Sequence, residues 1–97
     1  MTLTKAHLVD RIAAATGLSR VEAAAVVDGL LFSIVEAVAA GDEVELRGFG
    51  SFRANRRPAR TARDPRTQAA TPVPPRVVPQ FRPGAAFRRA VAVPPSE

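Results

Sequence analysis

Ninety-seven residues make one small domain with a limited core, so assembly with a further chain is a standing expectation. With no cysteine and one histidine there are no disulfide staples and no metal-ligand constellation, and no acid, base and nucleophile stand together as an enzyme would need, so neither catalysis, cofactor nor small-molecule substrate is implied. The net charge of +5 hides a division along the chain, with Lys5, Arg11 and Arg20 set against seven acids up to Leu46, and eleven arginines set against only Asp64 and Glu97 from Arg47 onward.

The opening "MTLTKAHLVD" has polar and acidic residues where a signal peptide needs an apolar run, and no stretch approaches the roughly 18 apolar residues of a membrane span. A cytoplasmic protein with no membrane partner is expected. The first helix is capped by Thr4, places Leu8, Ile12 and Ala15 at i, i+4, i+7, and stops at Gly17. His7 sits in its first turn as a surface residue, with phosphate contact the alternative. The second helix opens on a capping box of Ser19 and Glu22 and ends at Gly41. Ala23, Val27, Leu30, Leu31, Ile34 and Val38 hold one face of it, and Ala24, Val26, Phe32 and Val35 widen the apolar surface until only Glu22, Gly29, Ser33 and Glu36 form a polar edge. Such a helix needs burial on several sides. A second copy packed against it is the simplest supply.

After Gly41 the period changes to two. "DEVELRGFGSFRANRR" alternates Val44 and Leu46 with acids, turns at "RGFG" and resumes with Phe49 and Phe52, a hairpin. "RVVPQFRPG" gives a third strand, and "GAAFRRAV" a last helix whose Ala86, Phe87, Ala90 and Val91 can pack inward. Between them lies "RRPARTARDPRTQAATPVPP", with five arginines, one acid, five prolines and Val73 as its one large apolar residue. It cannot fold by burying itself. Flanked by paired strands, it is a candidate ribbon. Pro72 and Pro74 lack donors on one edge, while Pro75 and Pro79 have the opposite parity, so a switch or bulge is expected near Pro74 and Pro75. The fold class is therefore α+β, as one domain over residues 1–97: a helical dimerisation body at 1–41, then sheet, arm (about 54–75) and helix over 42–91, with a flexible tail at 92–97.

Arginines without acids point to a polyanion; a merely solvated face mixes its signs and uses lysine. The order helix, helix, "GDEVELRGFGSF", an arm with "RTARDPRTQ", then "VVPQFRPGAAFRRAV" resembles the bacterial histone-like HU proteins and integration host factor, from about Thr2 to Val91. That resemblance implies an intertwined dimer, a homodimer or one with a paralogue, whose β-ribbon arms reach around double-stranded DNA in the minor groove and bend it, on the nucleoid. Ala54 to Pro65 would extend about 36 Å at roughly 3.3 Å per residue, on the order of ten base pairs. By the same resemblance Pro65 is the tip proline that wedges between base pairs, a role suited to a rigid, apolar residue without an N–H. Arg53, Arg56, Arg57, Arg60, Arg63, Arg66, Arg76 and Arg82 are expected on phosphates and the minor groove, and Gly84 opens a helix that could present amides to phosphate. Arg88 and Arg89 are read as solvated.

The tip departs from the family's usual residues. Ala62 and Gln68 stand where glycine is common, and Asp64 stands where asparagine is. Helical spacing and alternation assign Phe32, Phe49, Phe52, Phe81 and Phe87 to core packing rather than to base-stacking platforms. Binding that ignores DNA sequence, as in HU, is favoured over site-directed bending as in integration host factor. An RNA-binding module or a domain for an acidic protein partner are the readings from other classes.

Overall fold

The computed structural model describes Met1 to Ala92; the end of the expected tail, residues 93–97, lies outside the described residues. It is an α+β chain with α1 (Lys5–Thr16), α2 (Arg20–Ala39), β1 (Val44–Leu46), β2 (Gly50–Arg57), β3 (Arg60–Arg63), β4 (Ala70–Val73), β5 (Arg76–Pro83) and α3 (Ala85–Val91). Two compact units divide it, Met1–Glu36 and the chain from Ala37 onward.

In the helical unit both starts are capped by side chains. The Ser19 N–H donates to Glu22 Oε1 at 2.9 Å and the Glu22 N–H to Ser19 Oγ at 3.1 Å, a reciprocal box that satisfies two amides orphaned by the helix start. At α1 it is His7, three residues after Thr4, that accepts from the Thr4 N–H, through Nδ1 at 2.9 Å. The lone histidine thus has a capping duty that the sequence did not disclose. The core is small: Val9, Ala23 and Val27 are buried, with Ile12, Ala13, Leu18 and Ala24 partly buried against them. The inward stripe of α1 is therefore Val9, Ile12 and Ala13 rather than Leu8, Ile12 and Ala15, because α2 lies against the former; Leu8 is exposed. Two ion pairs, Lys5–Asp28 at 2.8 Å and Arg20–Asp10, join the helices at the surface, where each is worth about 0–1 kcal/mol.

Two buried valines contribute on the order of 2 kcal/mol each, against about 1–2 kcal/mol of backbone entropy for each residue ordered. The helical unit does not close its own core. Leu30, Leu31, Phe32 and Val35 of α2 are about half or more exposed in the single chain (52%, 47%, 66% and 65%), because α1 covers only one flank of a helix that is apolar nearly all round.

The second unit begins with the last turn of α2. The Asp42 N–H donates to Ala37 O and the Gly41 N–H to Val38 O, each at 3.0 Å, the paired bonds of a Schellman stop with Gly41 left-handed at φ 94. β1, β2 and β5 form an antiparallel sheet in that order. Its tight place is Gly50, where a Cβ would lie 2.5 Å from the Arg82 carbonyl oxygen and 2.7 Å from two Phe81 ring atoms. Only glycine lets β2 approach β5 this closely. Phe49, Phe52, Phe81 and Phe87 form one ring cluster, with centroids 4.8 Å apart for Phe52–Phe81 and 5.2 Å for Phe49–Phe87. Of the last helix, Phe87 alone joins it. Ala86, Ala90 and Val91 are exposed, contrary to the expected inward face, since a helix of seven residues offers a single inward position once Phe87 is seated. Ala92, assigned to the tail, caps that helix with its N–H on Arg88 O at 2.9 Å.

Candidate nucleic-acid interface

The register of β2 on β5 sorts the side chains by face. Phe52 opposite Phe81, Ala54 opposite Pro79 and Gly50 opposite Pro83 make the apolar face, with Arg56 at its outer end. The other face carries Arg53, Arg57, Arg76 and Arg82, through the pairs Ser51 with Arg82, Arg53 with Gln80 and Arg57 with Arg76. Arg57 and Arg76 stand directly opposite each other. Like charges in that position destabilise a sheet, and among the described residues neither has an acidic partner. An anion lying between or across them would relieve that repulsion.

Beyond Arg57 the ladder stops, and it resumes at Arg60 opposite Val73. Pro58 and Ala59 on one strand face Pro75 and Pro74 on the other. The residue numbers keep the same pairing on both sides of this gap, so no residue is gained or lost. The switch expected near Pro74 and Pro75 is thus an interruption in register and not a bulge, with Pro58, which the sequence reading passed over, as its third proline. Three of the four residues in the two missing rungs have no N–H to give. A cleft of about 250 Å3 opens at this joint, lined by Arg57, Arg60 and Arg76 with Pro58, Val73 and Pro74.

The outer ribbon pairs β3 with β4 from Arg60 with Val73 to Arg63 with Ala70. Arg60 and Arg63 are exposed on it. The tip then folds on itself: the Arg66 N–H donates to Asp64 Oδ1 at 2.8 Å, the Gln68 N–H to Asp64 O at 2.8 Å, and the Asp64 N–H to Ala69 O at 3.0 Å. Pro65 and Arg66 are exposed at the apex. Gln68 takes φ 60, the left-handed region that favours glycine, and Arg63 Nη1 lies 3.4 Å from its carbonyl oxygen. Asp64 therefore builds the turn. The Asp-Pro dipeptide is the local signal for such a turn.

Gly84 is differently employed. Its N–H donates to Phe49 O at 2.8 Å, and a Cβ there would meet Phe49 backbone atoms at 3.3 Å. Its own amide is thus committed to the turn between β1 and β2 and is not offered to phosphate, which corrects its assignment as a phosphate donor. The "GFGSF" and "FRPG" segments hold each other, and their joint presence is an architectural signal. Among the described residues no group of three or more His, Cys, Asp or Glu could hold a metal, and no helix is long and apolar enough to cross a membrane.

The family model described as bacterial DNA-binding protein matches residues 3–92. The chain belongs to that family. It is 45% identical to DNA-binding protein HU of Thermus thermophilus over 87 residues, 90% of each chain, and 40% identical to DNA-binding protein HU-beta of Serratia marcescens over 89 residues, 92% of this chain and 99% of that one. Among solved structures, the Anabaena HU–DNA cocrystal structure superposes with a TM-score of 0.86 at 41% identity, covering 95% of this chain and 100% of that one. HU from Thermotoga maritima gives 0.66 at 30% identity, covering 92% and 98%. The resemblance to histone-like proteins drawn from the sequence holds: this is an architectural DNA-binding protein of the HU type, in a family that is not one of enzymes.

Proposed function

We propose that two copies of this chain associate through α2, hold duplex DNA between their ribbons and bend it with little regard to sequence. The observation that carries the reading is the ribbon whose arginines have no acidic partners among the described residues, with Arg57 set directly against Arg76. A protein gains nothing from that face alone; a row of phosphates neutralises it and releases condensed counterions. Arg53, Arg56, Arg57, Arg60, Arg63, Arg66, Arg76 and Arg82 serve as phosphate and minor-groove contacts. Pro65, exposed at the apex of a bonded turn, serves as the wedge. Unstacking a base step costs a few kcal/mol, recovered as the bent duplex meets more of the cationic ribbon.

The exposed apolar surface of α2 supports the dimer. Leu30, Leu31, Phe32 and Val35 make a patch that a monomer would leave in water, and a second α2 is its natural complement. A homodimer needs no other component. A cytoplasmic protein resident on the nucleoid is the corresponding location.

Gel shift of a random-sequence duplex across a salt series tests the reading. Affinity should fall with a slope of about −0.9 in log–log form for each phosphate neutralised, and a selected duplex should bind no more than a few-fold better. Affinity that stays level as salt rises, or a preference for duplex RNA at equal salt, would overturn it.

A further inference from the structure

We infer that Asp64 is the positioning residue of the arm tip and, through its charge, the residue that decides which duplexes the tip enters readily; the inference rests on the reading of Pro65 as a wedge. Three hydrogen bonds converge on Asp64. Its Oδ1 accepts from the Arg66 N–H at 2.8 Å, its carbonyl accepts from the Gln68 N–H at 2.8 Å, and its own N–H donates to Ala69 O at 3.0 Å. Pro65 is the residue enclosed by the first of these. The pyrrolidine ring fixes φ of Pro65, and holding the next amide restrains its ψ, so both soft torsions of the wedge are set before DNA arrives. That removes ordering entropy from the binding step. The turn must be held in this way because Gln68 occupies φ 60, a left-handed conformation that a residue with a side chain adopts only at a cost in strain.

An asparagine would supply the same acceptor. What a carboxylate adds is one negative charge per arm, on the only acid between Glu45 and Glu97. Phosphates repel it most where the minor groove is narrow and its negative potential most concentrated. At a nick or an existing kink the strands part and unstacking is already cheap, so the repulsion falls as the insertion becomes easier. The carboxylate thus turns the tip away from intact duplex and towards distorted DNA.

Two variants of the full-length chain separate the functions, because both remove the charge and only one removes the acceptor. Energy transfer across end-labelled intact and nicked duplexes reads the bend, and titration reads the affinity. Asp64→Asn should bend DNA as the wild type does and bind intact duplex about threefold more tightly per arm, the factor given by a unit-charge interaction over about 7 Å in water; its preference for nicked over intact duplex should shrink by the same factor. Asp64→Ala should bind intact duplex less tightly than Asp64→Asn, because the ordering entropy returns to the binding step, and should bend it less, as Pro65→Ala does. Wild-type bending by Asp64→Ala would overturn the positioning role, and unchanged affinity and preference in Asp64→Asn would overturn the discriminating role. Equal bending by wild type and Pro65→Ala would instead overturn the wedge reading itself. Melting curves that coincide for all four proteins assign these effects to the tip, since Asp64 is exposed and bonded only to its own turn.

Discussion

Gly50→Ala should destabilise the sheet that roots the arm, and the size of the effect follows from two contacts. The added methyl would sit 2.5 Å from the Arg82 carbonyl oxygen and 2.7 Å from Phe81 Cε1 and Cζ. Neither neighbour can yield cheaply. Arg82 lies on the rung opposite Ser51, and Phe81 is stacked among Phe49, Phe52 and Phe87 at centroid distances of 5.4, 4.8 and 5.9 Å. Overpacking of a well-filled site costs about 1–3 kcal/mol, and a clash with backbone puts this one at the upper end, about 3 kcal/mol. For a chain of this length each kcal/mol moves the melting temperature by about 4–8 °C, so a fall of roughly 12–24 °C is expected. Thermal unfolding followed by circular dichroism at one fixed protein concentration measures it, the concentration being held because an associating protein melts by mass action. Gly29→Ala is the matched control. Nothing lies within 4 Å of its added methyl, and within a helix the change should stabilise by about 0.5–1 kcal/mol. A Gly50→Ala protein that melts within about 2 °C of wild type would refute the close-approach argument.

Glu22 supplies a pH signature: the Ser19 backbone N–H, and then the Ser19 hydroxyl, hold its carboxyl below the ordinary 4.5. Because the folded value is the lower one, the contribution of ionised Glu22 is complete above the unfolded value and is lost as pH falls through the folded value; the difference in melting temperature between wild type and Glu22→Gln should therefore shrink on acidification below 4.5, and a constant difference would contradict the capping assignment. Leu31→Asp with Phe32→Asp should shift sedimentation at micromolar concentration from dimer to monomer or unfolded chain, whereas an unaltered dimer would place the interface elsewhere. Arg63→Ala with Arg66→Ala should weaken binding to every duplex and flatten the salt slope by about one unit per lost contact, while Pro65→Ala leaves the slope and reduces the bend, as gel shift and energy transfer would each report.

Elements whose physics is local were legible in the chain itself. The box of Ser19 and Glu22, the stops at Gly17 and Gly41, the hairpin through "RGFG" and the arginine-rich ribbon all rest on residues a few positions apart. Their chemistry does not wait for the rest of the fold. The charge division was equally plain, because net charge needs no coordinates, and with the motif order it led to the family. Tertiary structure decided whatever depends on a partner distant in sequence. Which stripe of α1 turns inward was set by where α2 lies, so Val9 and Ala13 displaced Leu8 and Ala15 from the expected face. Gly84 lost its amide to Phe49, thirty-five residues earlier, a bond that no local pattern announces. Pro58 became half of a joint only once the register set it opposite Pro75, and Arg57 became informative only when Arg76 was found facing it. A strand's own sequence sets which residues alternate, but only pairing decides which residue stands across from which, as Arg76 does from Arg57.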